Sequence, residues 1–432
     1  MNGTDLSQNL DVSLKKNNYA FIMLGCAILM QFILAGLAYS TLSLYMNPIL
    51  TQYPHISRTQ FSFIFTIKSA VMVVVSMCYG PLLSKFGLRK IATLGGVLMA
   101  LAVFVYSMAH SLWMLYLGAF VQGISLSFVT TTTCSLCVTK WFAKHVGLLL
   151  AIETFAAGFA GTIFNPVVSG WIVNYSWNTS MRITCVIALA ATVLLALFVR
   201  EDPASMGMAP RWAEISDSTE KKDGPQKPII EEGLTKKEAF RTPNFWCMCV
   251  MFFLMGVLYY SITSTLAIFS SGLGYDAMTV GKVVGFMYTA FAIANIIIGL
   301  LADKFGIRLL IVSSIVSFSV CVVLLKQPTL PLNFLYVAAG LAGYNMAFHA
   351  IPLPLAVKEV FGTKDSGNIL GIVVGIMSAG SALGAPILNA GYDLTGSYNG
   401  MFNIFAPIAI IPLILCVIFV RKIKGKGTAA SQ

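Results

Sequence analysis

Gly80-Pro-Leu-Leu-Ser-Lys-Phe-Gly-Leu-Arg-Lys90 lies between two long apolar runs and carries three positive charges. A second stretch, Gly299-Leu-Leu-Ala-Asp-Lys-Phe-Gly-Ile-Arg308, matches it 219 residues later. Gly80, Leu82, Lys85, Phe86, Gly87 and Arg89 pair in register with Gly299, Leu301, Lys304, Phe305, Gly306 and Arg308. Such a repeat, each copy following an apolar run, marks an internal duplication. The same offset relates Phe142 to Phe361 and Gly161 to Gly380.

The apolar runs set the fold class. The chain has 432 residues, 57% of them hydrophobic and 10% charged, whereas soluble domains carry about 25% charged residues. Too few charges remain to cover a water-facing surface, so the surface must face lipid. A bilayer core of about 30 Å takes about 20 apolar helical residues. Twelve runs qualify, near 19–46, 59–83, 91–109, 112–138, 147–173, 181–199, 244–270, 279–301, 309–325, 333–357, 368–390 and 400–420. The sequence therefore predicts an all-α membrane protein of twelve transmembrane helices in two parallel six-helix halves. The halves are an N-terminal bundle, 1–199, and a C-terminal bundle, 244–420. A polar linker, 200–243, joins them, and a basic tail, 421–432, follows. Within the linker, Leu234 to Phe240 reads as a short amphipathic surface helix. The first run is too long for a cleaved signal peptide and is read as a retained span.

The net charge of +11 is explained by topology. With the N-terminus cytoplasmic, 23 of the 28 Lys and Arg fall on the inner segments, four on the outer ones, and Lys68 lies within a span. This asymmetry places both termini in the cytoplasm and leaves no role for a nucleic-acid partner. The expected setting is the plasma (inner) membrane, and the expected partners are lipid and a small-molecule substrate. The chain is expected to act as a monomer. Most of the nine Cys sit in apolar runs and read as buried thiols. Cys134 and Cys137 have ligand spacing, but no matching second pair follows, so no metal is expected. Gly80–Lys90 lacks a Gly-Lys-Ser/Thr, so no nucleotide and no other cofactor is expected. Four His scattered at 55, 110, 145 and 349 supply no clustered catalytic set, so the chain does not read as an enzyme.

Two parallel halves of six spans, with a basic Gly-x-x-x-Asp-x-x-Gly-x-Arg/Lys loop in each, resemble the major facilitator superfamily over essentially the whole chain. Ser84 stands where the first loop would carry Asp, while Asp303 keeps it in the second. Within the superfamily the chain looks most like the oxalate/formate-antiporter and monocarboxylate-transporter branch. The pieces that carry this are Lys140-Trp-Phe-Ala-Lys-His-Val-Gly147, Thr242-Pro-Asn-Phe-Trp246 and Gly384-Ala-Pro-Ile with Tyr392-Asp-Leu-Thr-Gly-Ser-Tyr398. The resemblance implies secondary transport by alternating access. It also implies a carboxylate-binding Arg in the eighth span and a Lys in the eleventh, where this chain has Asn295 and Met377. An Arg that many proton-coupled members carry in the fourth span is here Ala119.

Parallel repeats predict a site near the bilayer midplane. Lys68 lies nine residues into the second span, about 13 Å deep at the helical rise. A cation at that depth is costly unless it is solvated or paired, so Lys68 is read as an anion contact, or alternatively as the partner of Glu153. Glu153, in the fifth span, is a candidate proton-coupling acid. His349, in the tenth span, is a candidate substrate or proton contact, because imidazole changes charge near neutral pH. Pro352 and Pro354 after it predict a bend. The resemblance points to the first, fourth, seventh and tenth spans as lining a cavity. Their polar residues are Gln31, Tyr39, Gln122, Tyr259, Tyr260, Tyr344 and Asn345. Gating is assigned to Gly80, Ser84, Gly87, Arg89, Asp303, Gly306 and Arg308, with the first copy the weaker latch for want of an acid at Ser84. The glycines at 371, 375, 380 and 384 have the small-residue spacing of close helix packing. The function expected is transport of a small organic anion or polar organic solute, by proton symport or solute antiport. Efflux of amphipathic or drug-like compounds, or a transporter-like sensor, are the alternatives.

Overall fold

The computed structural model describes residues 18–212, 233–327, 330–349, 352–362 and 364–419. The basic tail at 421–432 and linker residues 213–232 lie outside the described residues. Among the described residues the regular structure is helical, with two isolated bridges and no strand. Eleven helices are long and apolar enough to cross a membrane. They are α1 (Tyr19–Gln52), α2 (Arg58–Met77), α3 (Leu88–Ser107), α4 (Leu112–Thr139), α5 (Val146–Asn174), α6 (Trp177–Phe198), α7 (Pro243–Gly272), α8 (Ala277–Ile298) and α9 (Lys304–Leu325), then α11 (Ser366–Thr395) and α12 (Asn399–Ile418). Between α9 and α11 comes α10 (Leu332–Met346).

The run predicted at 333–357 is not one helix. After Met346 it tightens into a 3₁₀ turn, Ala347–His349, and a separate helix starts at Pro352 and ends at Phe361. Proline supplies no N–H to a preceding turn and biases the residue before it away from helix, yet it suits the first position of a new one. α4 breaks at the equivalent register without a proline. Thr130 is extended (φ −96°, ψ −156°) between helical Leu112–Val129 and Thr131–Thr139, and the 219-residue offset maps Thr130 onto His349. The cause lies in a run of four threonines, 130–133. Thr130 Oγ1 donates to Leu126 O (2.6 Å) and Thr133 Oγ1 to Phe128 O (2.5 Å). Hydroxyls bonded back to the backbone compete with the helical ladder, and the β-branched run adds crowding.

The duplication is visible in the backbone. Gly87 has φ 79° and ψ 164°, and Gly306 has φ 76° and ψ 163°. That region is open essentially to glycine alone, which is why both loops keep it.

The described chain forms two compact units. The first comprises Met1–Leu42, Val71–Phe164 and Asn174–Gln226; the second comprises Ser43–Ala70, Asn165–Val173 and Lys227–Gln432. In the first unit, α3 packs tightly through adjacent glycines. A Cβ on Gly95 would meet Phe128 and Val129 of α4, and one on Gly96 would meet Thr192 of α6. Gly36 of α1 is held similarly close to Ala160 of α5. In the second unit, α7 and α11 interlock: Gly256 faces Met377 O, while Gly380 and Gly384 face Phe253 O and Val257 O. Gly371 and Gly375, expected to pack closely, instead have open space where a Cβ would stand. The outer stripes are apolar and exposed, as at Val186, Leu189, Val193 and Leu197 of α6. Three- and four-residue spacing puts these on one face, directed at lipid.

The linker is tied down at both ends. In the first unit, Ala143 N donates to Arg211 O (2.9 Å) and Arg211 N to Trp141 O (2.8 Å). In the second, Leu234 N donates to Phe361 O (2.9 Å). A short helix, Lys236–Phe240, follows, closed by a Thr235–Glu238 capping box, as the amphipathic reading predicts. Phe142 and Phe361 are equivalent in the repeat, so the linker pins the same loop of each copy.

Candidate functional site

Among the described residues only two charged side chains are buried, Lys68 at 2% exposure and Glu153 at 1%.

Glu153 lies in the first unit, two helical turns into α5. Gln31 of α1 donates its Nε2 to Glu153 Oε1 at 2.9 Å. Glu153 Oε2 is buried and has no hydrogen-bond partner among the described residues. A buried polar atom without a partner is expensive, so one that persists calls for a role. Gln31 itself lies at the start of a π-helical stretch, Met30–Leu37. π turns inside α-helices recur at functional sites; here the wider turn surrounds the side chain that reaches Glu153.

Gln122 is held elsewhere in the same unit. Its Nε2 donates to Ala38 O (3.1 Å), and its Oε1 accepts from Tyr106 OH (3.2 Å). Both functions of the amide are used in joining α4 to α1 and α3. Tyr39 is half-buried on α1.

Lys68 belongs to the second unit. Its ammonium sits 4.7 Å from the ring centroid of Phe65, one turn earlier on α2, in range of a cation–π contact. Tyr259 shares a 2.6 Å hydrogen bond with Ser314 Oγ of α9, and Tyr344 shares one of 2.7 Å with Ser313 Oγ. Tyr260 is half-buried. Asn295 donates Nδ2 to Phe291 O at 2.9 Å, which leaves its Oδ1 buried and without a partner among the described residues. Asn345 Oδ1 is in the same condition. His349 closes the 3₁₀ turn after α10. The side chains of His349, Gly299 and Asp303 lie outside the described residues.

The loop glycines and cations sit as follows. Gly80 lies in a helix, Tyr79–Phe86, that continues α2 after a bend at Cys78. Ser84 Oγ donates to Pro81 O at 2.9 Å, a neutral local bond. Arg89 donates Nε (2.9 Å) and Nη2 (2.7 Å) to Ala196 O near the end of α6. Arg308 is exposed. The acid missing at Ser84 is supplied from elsewhere. Glu201, at the start of the linker, accepts from Leu88 N (2.6 Å) and Arg89 N (3.3 Å) and so caps α3. A carboxylate there also meets the positive end of the helix. Sequence reading missed Glu201 because it lies 113 residues from its partner.

The comparisons agree with this architecture. MFS-type transporter YhjX of Escherichia coli (strain K12) is 24% identical over 320 residues, 73% of this chain and 75% of the relative. Monocarboxylate transporter 13 of Rattus norvegicus is 25% identical over 352 residues, 79% of this chain and 75% of the relative. The crystal structure of a mutant of nucleoside transporter NupG superposes with a TM-score of 0.74 at 13% identity, over 93% of this chain and all of that one. The profile of the Major Facilitator Superfamily matches residues 28–325 and 279–432. The chain belongs to the Major Facilitator Superfamily, as an integral, multi-pass membrane transporter and not an enzyme.

Proposed function

We propose that this chain is a secondary active transporter for a small organic anion of the monocarboxylate type, or a polar organic solute of that size, working by alternating access. The observation that carries the reading is Lys68, a cation buried at 2% exposure inside an apolar span. Ionisable residues kept at such a position mark substrate or ion paths. The likeness to monocarboxylate transporter 13 supports the same class. Asn295 and Asn345 add buried carbonyl oxygens that accept from a hydroxyl or amino group, which favours solutes carrying one beside the carboxylate. Tyr260 and His349 complete the contact set in this reading.

Glu153 supplies the coupling. Its Oε2 takes a proton in one part of the cycle and gives it up in another, while Gln31 holds Oε1 throughout. The two six-helix halves, 1–199 and 244–420, are the moving parts, and Gly80, Gly87, Arg89, Asp303, Gly306 and Arg308 govern the inner closure. Both termini face the cytoplasm, the membrane is the plasma (inner) membrane, and one chain is the transport unit.

Purified protein in proteoliposomes, offered labelled monocarboxylates and hydroxy- or amino-substituted relatives, tests the substrate class. Lys68→Ala lowers uptake at least tenfold, and Lys68→Arg restores part of it. Near-normal uptake by folded Lys68→Ala removes Lys68 from the path and the anion reading with it.

A further inference from the structure

We infer that Asp393 and Arg58 form a releasable latch that shuts the path to Lys68 from the face bearing the 53–57 turn, the outer face in the proposed orientation. The inference rests on the transport reading and concerns only the second unit.

One stripe of α2 meets the far end of α11 through polar contacts. Asp393 caps the start of α2. Its Oδ2 accepts from Thr59 N (2.8 Å) and Thr59 Oγ1 (2.6 Å), and its Oδ1 from Arg58 N (3.3 Å). The Arg58 guanidinium lies 3.6 Å from the ring centroid of Tyr392 and donates to Tyr398 OH at 3.0 Å. From there the bonds run in a ring. Tyr398 OH donates to Asn389 Oδ1 (2.7 Å), Asn389 Nδ2 to Ser62 Oγ (2.8 Å), and Ser62 Oγ to Arg58 O (2.8 Å). Ser62 and Asn389 are fully buried. One turn further along α2, Thr66 Oγ1 donates to Ala382 O (2.5 Å). Residues 58, 62 and 66 fall on one helical face by their four-residue spacing. Lys68 lies deeper in the same span, about 15 Å along the helix from Arg58, though two residues on from Thr66 and so off the seam's own face; solvent from the outer side passes the depth of the seam before it reaches Lys68.

The duplication shows that this seam is specialised. The 219-residue offset maps Ser62 onto Gly281 and Asn389 onto Gly170. At that mate, α8 lies against α5 through its glycines: a Cβ on Gly281 would run into Ser169 Oγ, and one on Gly170 would touch Met278. One copy closes by backbone contact, the other by a polar ring anchored on an exposed carboxylate. Polar bonds at a rim exchange with water as the helices part, whereas glycine packing has no such substitute. The polar seam is therefore where opening must release specific bonds. Asp393 and Arg58 act here as positioning residues for the closed state.

The test reads accessibility. Exposed Cys78 and half-buried Cys247 are replaced by Ser, leaving seven buried cysteines, and Ser69→Cys is added beside Lys68. A membrane-impermeant maleimide is offered to each face of the membrane in turn. Labelling is slow in this background. Asp393→Asn raises it about tenfold from one face only, the loss of a charge-assisted pair of bonds, and Asp393→Glu returns it towards the background rate. Tyr398→Phe, which removes only the ring's hydroxyl, gives a smaller rise in the same direction. Unchanged labelling in both Asp393→Asn and Tyr398→Phe overturns the latch, as does a rise from both faces. No solute is needed, so a labelling rise without uptake of any solute rejects the transport reading and keeps the latch, while uptake with unchanged labelling does the reverse.

Discussion

Gly380→Ala and Gly375→Ala place the same methyl group on the same helix and should move stability in opposite directions. At Gly380 the new Cβ would lie 2.2 Å from Phe253 O of α7. Ordinary van der Waals contact begins near 3.4 Å, so α7 and α11 must part by about 1 Å. The displaced atom belongs to backbone and cannot rotate away. Gly256 and Gly384 brace the same seam at 2.4 and 2.6 Å, so the strain spreads along it. Overpacking of this kind costs about 1–3 kcal/mol. At Gly375 nothing lies within 4 Å, and Ala is favoured over Gly in a helix by about 0.5–1 kcal/mol. A change of 1 kcal/mol moves the midpoint by about 2–4 °C in a unit of this size. Thermal unfolding in detergent, followed by tryptophan fluorescence, should therefore show Gly380→Ala lower by several degrees and Gly375→Ala level or slightly higher. Equal shifts for the two variants would refute the close-packed α7–α11 seam.

Glu201→Ala removes the cap from α3 and should cost about 1 kcal/mol, read as a lower unfolding midpoint; Glu201→Gln, which keeps one acceptor, should cost less. Gly87→Ala and Gly306→Ala each force a methyl into glycine-only backbone at about 1–3 kcal/mol, but Gly87→Ala should be the worse, because its Cβ also meets the Glu201 carboxylate whereas Gly306 has open space. Thr130→Ala should increase helicity across the α4 break, seen as slower amide exchange at residues 129–134. The Asp365 carboxyl is held below its ordinary value of 3.8 by the Asn368 side chain and then by Lys236 N–H. A pKa lower folded than unfolded contributes stability that is complete above the ordinary value and is lost as pH falls through the folded one. The Lys236–Phe240 helix should thus stay docked from neutral pH down to about pH 4 and loosen only below it, as amide exchange at Lys236 would report; loosening at pH 6 would contradict this.

The architecture was legible because its signals are periodic and local. Apolar runs of span length mark twelve spans, and eleven helices among the described residues are long and apolar enough to cross a membrane; the repeated loop marks a pair of equivalent glycines whose φ and ψ agree within a few degrees. The α10 break was foreseen at Pro352 and Pro354, but the α4 break was not, because four consecutive threonines are compatible with a membrane helix until their hydroxyls choose particular carbonyls. Polar contacts were the least legible part. Gln122 and Tyr259 read like cavity residues, yet the structure engages them with Ala38, Tyr106 and Ser314. Gln31 meeting Glu153, Glu201 capping α3 and Asn389 meeting Ser62 join residues more than 100 apart. Nothing in spacing along one helix reveals such partners, since they depend on the rotation of two helices about their own axes.

The most direct test of the account is solute accumulation in proteoliposomes with and without an imposed proton gradient, in the unmodified protein and in Glu153→Gln. The unmodified protein should concentrate a monocarboxylate-type solute when the gradient is present and only equilibrate it when the gradient is absent. Glu153→Gln should lose the concentrating step and keep solute exchange. Gradient-driven accumulation that survives in Glu153→Gln would contradict the assignment of coupling to Glu153, and a folded, unmodified protein that neither accumulates nor exchanges any such solute would contradict the proposed transport function itself.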